Sequence, residues 1–419
     1  MAETSIGLSS SRSWWIVGLL SASIAINLVD RQVLSVVAPV LREQLALSNT
    51  QYSYIILAFQ VGLLLGQVPA GVFLDIVGAR LGLIAIFVAW SAVNAFHSLS
   101  RGLKSLIGLR FLLGISECGN YSGGIKVVAE IFDAERRSLA GGFFNGGAQL
   151  GAVLAPPVVV FITLRWGWRS AFLIPSALGL LWLLPWFFIA PHDVQDAASS
   201  EHHGSPREKA EKVTLAQLLR QRQVLGLMLF RAFTGPLTSF FWYWLPEYLR
   251  HGRGMSMAAI GLLAWLPFLA GGIGNVAGGF FSDAQIKRGV SEDRARKVSF
   301  VLGAVFSSLT VALPFTSSVA LALGVICLVV FGNQWMVSTY IGTVGDIFPS
   351  SVVGRVNGIG GVADSGMGMV TMLLTGVVVD HYSYSPVFIA AAVMPMLALL
   401  SILVVVKRIA RIAVDPASA

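Results

Sequence analysis

Apolar runs of about 20 residues, each long enough to cross a bilayer, succeed one another along nearly the whole chain. They fall near 14–38, 52–74, 81–99, 103–131, 138–163 and 170–190, and again near 222–249, 257–281, 297–316, 319–345, 353–379 and 385–406. The pattern predicts an all-α integral membrane protein, with twelve transmembrane helices in two pseudo-symmetric six-helix bundles. Residues 1–13 form a polar N-terminus and 14–190 the first bundle. A polar linker spans 191–221, the second bundle 222–406, and a short tail 407–419. No secretory cleavage pattern follows the N-terminus, so the first run is expected to stay as an anchor.

Composition agrees: of 419 residues, 55% are hydrophobic and only 12% charged, against about 25% charged in soluble domains. The net charge of +8 is topological and gives no ground for a nucleic-acid partner. With the N-terminus inside, eighteen Lys and Arg fall on that side and seven on the other. The positive-inside rule then places both termini in the cytoplasm of a multi-pass inner-membrane protein. Cys118 and Cys327 lie inside spans without metal or disulfide spacing, and His202-His203 in the linker is a weak metal signal.

Charges inside the spans carry the functional argument, because ionisable groups in hydrocarbon are costly and face a cavity or a partner. In the fourth span Arg110 and Glu117 stand two turns apart on nearly one face, roughly 10 Å along the axis, with Tyr121 a turn beyond. Asp30-Arg31 interrupts the first span. Adjacent helical residues point about 100° apart, so each needs a partner elsewhere, and the first and fourth helices are a natural combination. Lys126, nine residues after Glu117, reads as a snorkelling or gating charge.

The second span ends in Gly71-Val-Phe-Leu-Asp75, with Arg80 close behind. Gly279-Phe-Phe-Ser-Asp283 repeats the pattern 208 residues later, at the same place in the second bundle. That is an internal repeat, the mark of a two-bundle transporter. The small residues allow close helix approach, and each carboxylate can cap a helix or pair with a loop arginine. The fifth span is rich in glycine and carries Pro156-Pro157. Its amides Asn145 and Gln149 suit a ligand or interhelical hydrogen bonds equally. Span seven holds Trp242 in an aromatic stretch, either a wall for a ligand or an interfacial belt. Span ten holds Asn333-Gln334. Asp364 in span eleven is a further candidate, or a group bonded to a serine such as Ser365.

Together these residues resemble the major facilitator superfamily, most closely its anion:cation symporter branch. The Gly-x-x-x-Asp repeat marks the superfamily. Asp30-Arg31, Gln67-Val-Pro-Ala-Gly71, Gly124-Ile-Lys126, Ala155-Pro156-Pro157, Trp244-Leu-Pro246 and Asp346-Ile-Phe-Pro349 are more specific to the branch, and the Gly-Ile-Lys and Ala-Pro-Pro stretches look most like bacterial hexuronate transporters. The resemblance implies two bundles around a central cavity, alternating access, and proton-driven uptake of a carboxylated solute such as glucuronate or galacturonate. Asp30 and Glu117 would carry protons, and Arg31 and Arg110 would attract the carboxylate. The branch often has tyrosine at Leu28 and Leu63 and histidine at Asn333, which points to an altered pocket here.

A physical rationale for symport stands beside the resemblance. An anion that occupies a guanidinium removes the counter-ion of a neighbouring carboxylate, whose proton affinity then rises. Glu117 with Arg110, and Asp30 with Arg31 or a cross-helix partner, suit this linkage. Tyr121, Asn145, Gln149, Trp242, Gln334 and Asp364 complete the candidate substrate contacts. Gly71, Asp75, Arg80, Gly279, Asp283 and Lys126 form the candidate gate. The expected partners are a small organic anion, the proton and the lipid bilayer, with no other cofactor and a monomeric state. Alternatives are another organic acid (an aldonate, a monocarboxylate or an aromatic acid), drug efflux by proton antiport, and a sensor that moves nothing. An enzyme is not expected, because no nucleophile–base motif or ligand set occurs within the spans.

Overall fold

The computed structural model describes residues 10–132, 134–190 and 215–411, which are helical with no strand among them. Most of the linker, including His202-His203, lies outside the described residues, as do residues 1–9, 133 and 412–419. The first set comprises α1 (Ser10–Leu45), α2 (Asn49–Val77), α3 (Ala79–Phe96, extended by the 3-10 turn His97–Leu99), α4 (Leu103–Glu117), α5 (Gly119–Ile131), α6 (Ala134–Trp166) and α7 (Trp168–Ile189). A short α8 (Leu215–Arg220) precedes α9 (Arg222–Glu247), α10 (Met257–Leu263), α11 (Leu266–Lys287), α12 (Glu292–Ser308), α13 (Val319–Ile347), α14 (Ser350–His381) and α15 (Tyr384–Leu400).

Eleven helical segments among the described residues are long and apolar enough to cross a membrane. The expected fourth span differs. It is two helices of 15 and 13 residues that meet at Cys118, directly after Glu117. Cys118 keeps helical dihedrals (φ −61°, ψ −25°), so the chain turns on while the regular bonding lapses. Gly119 follows immediately, and glycine is the residue that gains least from helical order.

The chain divides into two compact units. One is Met1–Ser205 with Leu249–Trp265, and the other is Pro206–Tyr248 with Leu266–Ala419. In unit 1 close backbone contact at glycine organises the packing. A Cβ on Gly62 of α2 would collide with the Phe111 carbonyl of α4, and one on Gly114 with the Phe59 carbonyl. The same holds between α6 and α1, where Gly147 and Gly151 abut the carbonyls of Ser21 and Ala25. Without a water-driven hydrophobic term between helices, such small-residue contact is what lets dispersion hold them. Gly71, by contrast, has nothing within 4 Å of an added Cβ, so the close approach expected there is absent within the described residues. α6 runs through Pro156 and Pro157 without ending.

Unit 2 repeats the α1–α6 contact in α9 and α14. Gly368 of α14 meets Ser239 of α9, with 3.2 Å from an added Cβ to Ser239 Oγ. One turn earlier, where Gly147 meets Ser21 in unit 1, Gly235 meets Asp364. The internal repeat is therefore visible in packing, with a carboxylate in place of a glycine. Phe230, Phe300, Met336, Tyr340 and Ile402 pack together in the core of unit 2.

Candidate substrate and proton site

The charges of the first and fourth spans meet inside unit 1. Arg31 Nε donates to Glu117 Oε2 at 2.7 Å, and the Glu117 side chain is fully buried while that of Arg31 keeps 28% exposure. The α1–α4 combination expected from the sequence is realised here, and the bond shown on Glu117 comes from Arg31. Arg110 lies two turns back from Glu117 and is 1% exposed. The Arg110 and Arg31 guanidiniums approach one ring, that of Phe59, at 5.6 and 5.7 Å from its centroid. The Gly62–Gly114 crossing sets the position of Phe59, since only a glycine-lined contact brings α2 this close to α4. A buried aromatic face adds cation–π attraction to both arginines.

Asp30, fully buried, takes a different set of partners. Trp90 Nε1 donates to Oδ2 at 2.9 Å and Asn94 Nδ2 to Oδ1 at 2.8 Å. Asn94 also donates to Ser176 Oγ of α7 at 3.1 Å. So Asp30 is held by α3. The two carboxylates bear on one another electrostatically, and the Arg110 charge bears on both. Ser23 Oγ donates to Asn120 Oδ1 at 3.3 Å, one turn past Glu117. Arginine–carboxylate pairs out of water are stable only with close geometry and further hydrogen bonds, which this cluster supplies.

Around that cluster the remaining candidates separate. Tyr121 is half-exposed on α5, its ring 5.7 Å from Phe144. Asn145 is exposed, and its Nδ2 donates to Gly141 O of its own helix at 2.9 Å. Gln149, one turn on, is exposed too. Cys118 is tied to its own helix through Sγ and Ile115 O.

In unit 2, Asp364 pairs with Arg231 of α9 rather than with Ser365. The Arg231 guanidinium also lies 5.6 Å from the Tyr340 ring centroid. Arg231 was visible in the sequence as a charged residue of span seven, but its partner is 133 residues away and no local pattern links them. Trp242 packs edge-on against Phe268 at 5.6 Å. Gln334 is half-buried against α11 at Gly271.

The candidate gate residues form one bond set per unit. Lys126 Nζ bonds Asp75 Oδ1 at 2.7 Å and Leu74 O at 3.1 Å. Arg80 donates to Phe187 O at 2.9 Å. In unit 2, Arg296, 6% exposed, joins Asp283 (2.9 Å), Asp346 (2.8 Å) and Ser282 Oγ (2.6 Å). Thus Asp283 finds an arginine from the following loop–helix segment, whereas Asp75 takes a lysine from α5. Arg296 and Asp346 escaped the sequence reading as site residues, although the Arg294–Lys297 charge run was the available signal. Among the described residues no group of His, Cys, Asp and Glu is arranged to hold a metal.

A helical membrane protein built from two compact units, with arginine–carboxylate couples inside the helices, is the architecture of a solute carrier. The chain belongs to the Major Facilitator Superfamily, whose family model matches residues 20–291. It is 29% identical over 406 residues to the hexuronate transporter of Escherichia coli (strain K12), with 94% of each chain covered. To the galacturonate transporter of Dickeya chrysanthemi it is 32% identical over 277 residues, covering 64% of this chain and 80% of that one. Its fold matches the crystal structure of a bacterial homologue of the human lysosomal transporter Spinster, with a TM-score of 0.72, 17% identity and 96% of each chain covered. The protein is a multi-pass membrane transporter, not an enzyme.

Proposed function

We propose that the protein takes up a hexuronate such as glucuronate or galacturonate by proton symport, through alternating access in the inner membrane, as a monomer with both termini cytoplasmic. The observation that carries the reading is the Arg31–Glu117 couple at 2.7 Å. A substrate carboxylate that engages Arg31 removes the counter-ion of Glu117, and a proton then replaces it. Release of the anion on the other side restores the couple and expels the proton. Substrate and proton each favour the other's binding, the condition for coupled transport. Arg110, held over the same Phe59 ring as Arg31, adds the second positive charge that draws an anion in. Asp30, bonded by Trp90 and Asn94, is the second proton acceptor. Tyr121 and Gln149 of unit 1 suit the hydroxyls and ring of a sugar acid. The coupling ion is the proton, with no further cofactor.

Relatives named for hexuronate and galacturonate support a sugar acid over a lipophilic cation, and buried arginines suit an anion. The test is uptake into proteoliposomes under an inward proton gradient, with labelled glucuronate and galacturonate beside an aldonate, a short monocarboxylate and an aromatic acid. Accumulation of a uronate that a protonophore abolishes supports the reading. Accumulation of another acid keeps the coupling and moves the substrate, and no accumulation of any acid overturns it.

A further inference from the structure

Arg231, Asp364 and Tyr340 meet inside unit 2 and have no part in the coupling described above. Arg231 of α9 gives an Nη2 hydrogen to Asp364 of α14, and their side chains keep 20% and 23% exposure. A guanidinium carries five N–H donors. Among the described residues Asp364 is the one protein acceptor that Arg231 meets, so most of its donors are left for another.

Tyr340 of α13 adds a donor without an acceptor. The Arg231 guanidinium lies 5.6 Å from its ring centroid. The ring also stacks on Phe230 (5.4 Å, 4°), which fixes the direction of the hydroxyl. The residue is 3% exposed, and its hydroxyl has no partner among the described residues. Buried polar atoms are almost always satisfied, so one that is not calls for an explanation. The hydroxyl is turned toward α14. A Cβ built on Gly360 would stand 2.6 Å from it and 3.0 Å from Arg231 Cγ. Hydroxyl and arginine stem thus flank one glycine, a turn before Asp364.

Asp364 stands at an edge between packed and open sides of its helix. At about 100° per residue, Gly360 lies about 40° round from it on one side and Gly361 about 60° on the other. Gly360 is packed, whereas nothing comes within 4 Å of a Cβ on Gly361. The same holds for Gly358 and Gly354, one and two turns back on that open side. A partly open cation, an unpaired buried donor and free space beside them make a receptor for a small anion.

We propose that Arg231 and Tyr340 form a carboxylate-binding site of unit 2, with Asp364 as the resident acid that yields Arg231 to the guest. A planar carboxylate matches the fork of a guanidinium. One of its oxygens accepts from Arg231 and the other from the Tyr340 hydroxyl. Asp364, left without its counter-ion, takes a proton from a hydronium, which leaves water and a neutral acid. When the guest departs, Asp364 returns that proton to water and pairs with Arg231 again. One anion and one proton enter and leave together, so the charge of the site is unchanged. Arg231 is the cation bearing on both Asp364 and Tyr340. The carrier thereby holds a second carboxylate with a proton of its own, apart from the Arg31–Glu117 couple.

The test uses the full-length protein carrying Glu117→Gln, in nanodiscs at constant pH and ionic strength. Unit 1 then gives no Glu117 signal, and no uronate is involved, so the outcome is independent of the sugar-acid reading. Sodium acetate is the probe. Infrared difference spectra on its addition should show a protonated carboxyl band that Asp364→Asn removes, and sodium chloride should raise no such band. Tyr340→Phe should increase the acetate needed for half of the band about tenfold, the loss of one bond to a charged group. Its melting temperature without acetate should stay the same, because the hydroxyl has no protein partner to lose. Arg231→Lys, which keeps the charge but not the fork, should weaken acetate to a similar degree. No Asp364 band, a band that chloride raises equally, or unchanged acetate dependence in both variants overturns the site.

Discussion

Arg31 of α1 and Glu117, the last residue of α4, form a hydrogen-bonded ion pair of 2.7 Å in which the carboxylate is buried and the guanidinium keeps an open side. That asymmetry gives the couple its use. Glu117 can change partner only if its counter-ion can be reached, and the exposed part of Arg31 is what a substrate carboxylate can reach.

The pair should be measurable by a double-mutant cycle. Arg31→Ala and Glu117→Gln should each lower stability, and the double variant should lose less than their sum. A coupling energy of about 1–3 kcal/mol is expected for groups in direct contact, read from denaturation in detergent. Additive losses would show that the contact has no energetic weight.

Helix contact at glycine gives a contrast between positions that look alike in sequence. Gly62→Ala and Gly114→Ala each drive a methyl into a facing carbonyl, and overpacking of this kind costs about 1–3 kcal/mol. Gly71→Ala, with nothing within 4 Å, should leave thermal stability unchanged. Equal melting temperatures for all three would contradict the α2–α4 packing.

In unit 2 the Arg231–Asp364 pair depends on an absent side chain. The carboxylate of Asp364 occupies the space that a Cβ on Gly235 would fill. Gly235→Ala should therefore destabilise the protein about as much as Asp364→Ala, by several degrees in melting temperature. Combined, the two should cost little more than either alone, since both break the same pair. A neutral Gly235→Ala would rule out this arrangement.

The two gate sets differ in burial, and so should their variants. Arg296→Ala removes a buried guanidinium from Asp346, whose side chain is 20% exposed, and from the more open Asp283, at a cost of about 2 kcal/mol. Lys126→Ala removes a partner from Asp75, whose side chain is 75% exposed, and should cost less than about 1 kcal/mol. Chemical denaturation of the two variants side by side decides it.

The spans were legible because a bilayer imposes a run of apolar residues that few other constraints imitate, and charges such as Arg110 and Glu117 stand out against it. Partners were not. Asp30 is bonded by Trp90 and Asn94, two members of an apolar run whose rotation toward α1 depends on how the helices pack. The break at Cys118 had a trace, in Gly119 and Gly123-Gly124. Arg231 and Asp364 were each visible as a charge, but only the fold brings α9 and α14 together.

The central claim is that the anion and the proton exchange places on the Arg31–Glu117 couple. Its most direct measurement is proton entry driven by substrate alone, read from a pH-sensitive dye trapped in proteoliposomes when uronate is added outside. The native protein should acidify the interior as uronate enters. Glu117→Gln should still exchange labelled for unlabelled uronate but acidify nothing. Uronate entry without acidification in the native protein, or undiminished acidification in Glu117→Gln, would contradict the account.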